Sequence, residues 1–142
     1  MKTIKFILFF LPFIMKAQTV DLLNAINFHN TVRTYQLNPI LAYDDSLSLS
    51  AEEWANVIIN TGNFDFDPNV PAYIGENLYR GNILESNNIA NYNPYLDASL
   101  YWATNKTGDG ISYQNMCLQG FGSIGMGVAY GNGQVVVVAK YR

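Results

Sequence analysis

The run Gly75-Glu76-Asn77-Leu78 places one carboxylate among apolar neighbours, Ile74 on one side and Leu78 on the other. A carboxyl partly withdrawn from water has a raised pKa, which suits it to proton transfer, and a carboxylate at the mouth of a pocket is also a cation ligand. Both uses need partners, and the 142 residues hold one histidine, His29, and one cysteine, Cys117. No Ser-His or Cys-His pair with an orienting third group can be assembled when the lone imidazole is committed to a helix, as its neighbours imply. The sequence has no P-loop, no H-E-x-x-H, no paired C-x-x-C and no G-x-S-x-G. Glu76 therefore reads first as a structural carboxylate, hydrogen-bonded to backbone amides or to nearby Tyr and Asn groups.

The elements that must position it follow from periodicity. Leu22, Leu23, Ile26 and Val32 recur at helical spacing from Val20 to about Tyr35, with Asn24, Asn30 and Arg33 polar. His29 falls on or beside the buried face of that helix and reads as a core-edge histidine bonded to backbone rather than a ligand. A second helix starts at Asp44 or Asp45 as N-cap, carries Leu47, Ala51, Trp54, Ala55 and Ile58 on one face, and ends at Gly62, suited to a left-handed cap. Glu52 and Glu53 lie on its solvated side. Segments 63–73 and 82–95 are loop-like, rich in Asp, Asn and Pro, and Asp97–Thr104 forms a short helix with Ala98, Tyr101 and Trp102 inward. Ile124–Tyr130 and Gln134–Tyr141 read as strands joined at Gly131-Asn132-Gly133, an Asn-Gly hairpin signal. Helices early and strands late, without βαβ alternation, predict an α+β fold with an antiparallel sheet.

Composition narrows the partners. About half of the chain is apolar, enough for one domain with an ordinary core. A charged fraction of 13% and a net charge of −3 give no cationic surface for nucleic acid or anionic lipid. Lys2 and Lys5, the apolar run Phe6–Met15 and the small residue Ala17 predict a secretory signal over residues 1–17, with an uncleaved anchor as the competing reading, and a domain over 18–142. That run is shorter than the roughly 20 apolar residues of a membrane span, so the protein is expected to be secreted and not membrane-spanning. Cys117 has no partner for an internal disulfide and reads as a buried small hydrophobe. Asn105-Lys106-Thr107 is a sequon, usable only in a host that glycosylates exported proteins.

In order, His29-Asn30-Thr31-Val32-Arg33, Leu41-Ala42-Tyr43-Asp44 with Leu47, Ala51, Trp54 and Ala55, Gly75-Glu76-Asn77-Leu78, and Gly125-Met126-Gly127-Val128-Ala129 with Val137–Tyr141 resemble the CAP superfamily. This is the secreted group of pathogenesis-related class 1 proteins, antigen 5 and cysteine-rich secretory proteins. The resemblance covers essentially all of the chain after the signal. It implies a three-layer α/β/α sandwich with a central antiparallel sheet, and a cleft in which two histidines and two acidic residues can bind a divalent metal. Of that set, this chain keeps the glutamate as Glu76. Asp65 or Asp67 stands roughly where the first histidine belongs, Asn105 at the second acid, and Gln114 is what remains of the H-x-T-Q motif. Zinc wants three or four ligands with imidazole as the usual neutral donor, and calcium or magnesium needs six or more oxygens. The expectation is therefore a non-enzymatic binding or interaction module with no metal and no cofactor. Its vestigial cleft would be formed by Glu76, Asp65, Asn105 and Gln114, and its partner would be a protein, glycan or lipid. Sterol or fatty-acid binding, with residues 71–79 and 92–102 as apolar walls, is the alternative, and a metal-dependent hydrolase a distant third.

Overall fold

The computed structural model describes residues 11–83, 92–104 and 110–142. Their order is α1 (Leu11–Tyr35), β1 (Ala42–Tyr43), α2 (Asp45–Thr61), β2 (Gly75–Asn82), α3 (Pro94–Thr104), α4 (Ile111–Cys117), β3 (Ser123–Gly131) and β4 (Gln134–Tyr141). The strands form one four-stranded sheet in the order β1-β3-β4-β2, antiparallel except for the two-residue β1, which pairs parallel to β3. Helix α2 covers one face; α1, α3 and α4 cover the other. The expected α+β sandwich is the observed one, and its centre is β4, buried along its length from Val135 to Tyr141 because both faces are covered.

Strand alternation sorts the core into two clusters. Val136, Val138 and Ala129 meet Ala51, Ala55, Ile58 and Ile59 of α2. Val135, Val137, Ala139 and Tyr141 meet Ala25 and Ile26 of α1, Ala98 and Trp102 of α3 and Met116 of α4. On the α2 side the layers touch backbone to backbone. A Cβ at Gly127 would lie 2.0 Å from Glu52 N, and one at Gly125 would lie 2.1 Å from Ser48 N. Helix α2 begins at Asp44, whose side chain accepts from Leu47 N, and ends at Gly62 with φ of 74°. The β3–β4 turn has Asn132 at φ 53° and Gly133 at φ 71°, the doubly left-handed form that matches strand twist.

Two elements go beyond the periodicity of the sequence. Strand β2 carries the Gly-Glu-Asn-Leu run as the edge of the sheet, in register with β4 over all eight residues. The outward carbonyls of Glu76 and Leu78 are taken by Asn115 Nδ2 at 3.1 Å and by Trp102 Nε1 at 2.9 Å. Helix α4, at seven residues, is too short to display a helical repeat. Helix α1 starts at Leu11, inside the predicted signal, whose first ten residues lie outside the described ones. Helix α3 starts at Pro94, earlier than expected. Its first amides are capped by a residue distant in sequence: the buried Asp21 carboxylate of α1 accepts from Tyr95 N and Leu96 N.

The polar residues of α1 act as clamps. Arg33 is fully buried and satisfied by carbonyls: Nε donates to Pro39 O, Nη1 to Met116 O and Leu118 O, and Nη2 to Phe121 O, at 2.7 to 3.0 Å. Asn30 both donates to and accepts from the Leu41 backbone. His29, 0% exposed, is bonded through Nδ1 to Ala25 O and through Nε2 to the Tyr141 hydroxyl, each at 2.9 Å. A carbonyl only accepts, so the proton sits on Nδ1 and the Tyr141 hydroxyl donates to Nε2. The tyrosine oxygen accepts in turn from Asn77 Nδ2 at 3.1 Å. Burial, reinforced by the Arg33 charge, pushes the His29 pKa down to about 4.

Two outcomes follow from this packing. Gly127→Ala forces α2 off the sheet and lowers the melting temperature by roughly 10 °C, whereas Gly120→Ala, with open space around it, stays within about 2 °C; equal melting temperatures would disprove the contact. For His29 the folded value lies below the ordinary one, so its contribution is complete above pH 6.5 and lost as pH falls towards 4. The raised carboxyls of Asp21, Asp97 and Glu76 act in the opposite sense at the lower end of this window, so the readout is a difference. The stability gap between wild type and His29→Gln, measured by urea denaturation, narrows by roughly 2–3 kcal/mol from pH 7.5 to 4.5. A gap independent of pH would mean that His29 takes up its proton equally in the folded and unfolded chain, against the buried neutral imidazole described.

Candidate functional site

Adjacent residues of Gly75-Glu76-Asn77-Leu78 point to opposite faces of β2. Asn77 enters the α1/α3/α4 side, where its amide donates to Tyr141 Oη and Ser112 O and its Oδ1 accepts from Asn115 Nδ2. Glu76 enters the α2 side, directly across the strand pair from Lys140. The two are 6% and 0% exposed.

Two further residues, Asp67 and Ser50, complete the pocket. The loop after α2 brings Asp67, whose backbone N–H donates to Glu76 Oε1 at 2.8 Å. Lys140 Nζ donates to Asp67 Oδ2 at 2.7 Å and to Ser50 Oγ of α2 at 2.8 Å. Its distance to Glu76 Oε2 is 3.6 Å, an ion pair beyond hydrogen-bond reach, and that oxygen has no hydrogen-bond partner among the described residues. Burial raises the Glu76 pKa, against the opposing pull of the Asp67 amide and the Lys140 charge. Burial also acts upward on Asp67, but the Lys140 bond and charge and the Asn69 amide outweigh it and hold that carboxyl below its usual range. The loop is fastened at two more points, by Trp54 Nε1 donating to Asp65 O and by the Arg80 guanidinium 4.4 Å over the Phe64 ring.

The candidate residues fall in different places. Asp65 is exposed, its Oδ1 accepting from the next amide, Phe66 N. Gln114 is exposed on α4, which belongs to the layer on the other face of the sheet from the Glu76 side chain. Asn105 lies outside the described residues. Of the two aspartates offered by the sequence, the structure joins Asp67 to Glu76, and it adds Lys140 and Ser50, which sequence reasoning did not select. The signal for Lys140 was present as a single cation in the apolar run Val135–Tyr141.

The family's divalent metal finds a poor fit in these residues. Zinc needs three or four donors, and no group of three or more His, Cys, Asp or Glu side chains comes together among the described residues. The chain's imidazole, His29, is on the opposite face and already bonded on both nitrogens. The position between the two carboxylates is held by an ammonium. For acid-base work the obstacle is access, since both Glu76 oxygens are sealed by the chain itself. Ser50 neighbours Lys140, yet that nitrogen is spent as a donor to Asp67, leaving no base for the hydroxyl.

Solved structures share this architecture at low identity. Hookworm Platelet Inhibitor matches with a TM-score of 0.62 and 20% identity over 83% of this chain and 66% of its own. Venom allergen-like protein 4 of Schistosoma mansoni matches at 0.64 and 18% identity, over 85% of this chain and 86% of its own. NaASP2, solved with Zn2+, matches at 0.65 and 18% identity, over 88% and 78%. At such identities the likeness establishes the fold. Comparison with curated protein sequences finds no match. The sequence profile of the CAP, or cysteine-rich secretory protein, family matches residues 26–141. That span contains both core clusters except for Ala25, the α1 clamps and the Glu76 pocket, and the chain belongs to the CAP family.

Proposed function

We propose that this CAP-family protein is a secreted, non-enzymatic binding or interaction module with a degenerate metal site. The observation that carries the reading is the state of Glu76, the one acid retained from the family's metal set: its carboxylate is engaged by Asp67 and Lys140 of its own chain and buried beneath the loop. A carboxylate so occupied braces the cleft wall. Export is supported by the basic and apolar start of the sequence. The end of α1 and the segment after it offer contact surface, with Tyr35, Leu37 and Ile40 at 85%, 91% and 65% exposure. Of the aromatic residues that would wall a lipid cavity, Trp102 and Tyr95 are packed in the core at 0% and 7% exposure, whereas Tyr101, expected inward, and Tyr73 face outward at 49% and 67%.

Thermal shift with zinc and with EDTA tests the metal half of this reading, and no change in melting temperature is expected from either. A zinc-dependent rise abolished by Glu76→Gln would establish a working site at this position. Ester and peptide hydrolysis should stay at the level of a Glu76→Gln control. Saturable fatty-acid or sterol binding at micromolar ligand would favour the carrier alternative.

A further inference from the structure

Lys140 is the one charged side chain of β4 buried between the sheet and α2, and its neighbours on the same face, Val136 and Val138, show what that space ordinarily holds. Burying an ammonium is costly unless anions meet it. Here they do so from two directions: Glu76 by strict cross-strand register and Asp67 from the loop. The lysine has three protons. Ser50 and Asp67 accept two at 2.8 and 2.7 Å, and Glu76 Oε2, buried and otherwise unpartnered, lies 3.6 Å away. A metal ion shared by the two carboxylates would need the volume that Nζ occupies, and a second positive charge beside the ammonium would be repelled in a site with little water to screen it.

We propose that the Lys140 ammonium is the resident cation of this pocket, a charge carried on the chain itself that bridges Glu76 and Asp67, holds the 62–74 loop down on the sheet and bars metal ions from the family's carboxylate position. The proposal rests on the reading of Glu76 as a dismantled metal position. It also makes a chemical statement of its own: once the lysine is shortened, the pocket is a receptor for a small organic ammonium.

The test is rescue of Lys140→Ala. In thermal shift, n-butylammonium at about 50 mM raises the melting temperature of the variant by roughly 4 °C, the size expected of a ligand at several times its Kd. At the same concentration n-butanol leaves the variant unchanged, and neither compound moves wild type. Equal effects of the amine and the alcohol, or no effect of either, would overturn the proposal, because the side chain would then be filling space rather than balancing charge. If Lys140→Ala does not fold, a second comparison decides. In an Asp67→Asn/Glu76→Gln background the ammonium has lost its anions, so adding Lys140→Met should raise the melting temperature. A triple variant less stable than the lysine-bearing double variant would overturn the inference. These readouts are taken on the variants, so zinc binding by wild type at Glu76 would sink the degenerate-site reading and the exclusion of metal by Lys140, while the ammonium test reports separately on charge balance in the pocket.

Discussion

Helix α2 lies so close to β3 that its backbone at Ser48 and Glu52 occupies the space where side chains at positions 125 and 127 would stand. Everything on that face takes its position from this contact. Only glycine permits it, and the tight approach lets Ser48 Oγ reach Met126 N at 3.0 Å and brings Ser50 over β4, within reach of Lys140. A helix held one side-chain layer higher would leave the ammonium without its hydroxyl partner and open a gap over Val136 and Val138. The glycines of β3 and the charges of the pocket are thus one arrangement, in which close packing lowers the cost of burying ions by supplying polar partners at fixed distances.

The other face solves a different problem, with neutral hydrogen-bonding groups and one guanidinium whose partners are carbonyls. Ala25, His29, Tyr141 and Asn77 pass hydrogen bonds through the core, and Arg33 gathers three carbonyls from the end of α4 and the segment after it and a fourth, Pro39 O, from the segment after α1. Gly75-Glu76-Asn77-Leu78 spans both systems because strand alternation sends its glutamate one way and its asparagine the other. Four consecutive residues therefore join an ionic pocket to a neutral network through a sheet one strand thick. His29-Asn30-Thr31-Val32-Arg33 is equally divided in its attachments, each of its three polar clamps holding a different part of the chain.

Where the sequence expressed a periodic or conformational requirement, it was readable. The α2 face, its Asp44 and Gly62 caps and the Asn132-Gly133 turn are all local requirements, and all appear as anticipated. The strand nature of Gly75–Asn82 was not readable, since two glycines and two asparagines carry little intrinsic β preference and the strand exists because β4 offers it a ladder. The site was half legible. Glu76 announced itself by motif, but its partners Asp67, Lys140 and Ser50 come from three other elements, and only the tertiary register of β2 on β4 brings them together. Gln114 and Asp65 were chosen by linear correspondence, which carries no information about which face of the sheet a residue serves.

Strand β2 is the open margin of the sheet, where unpaired backbone groups ordinarily invite another strand. Two of its outward carbonyls are already taken, one by the Trp102 indole and one by the Asn115 amide. An incoming chain would have to break both bonds and dislodge a fully buried tryptophan before it could pair. This margin is closed by side chains instead of by charge or proline, so a strand of another molecule meets an edge whose acceptors are already spent.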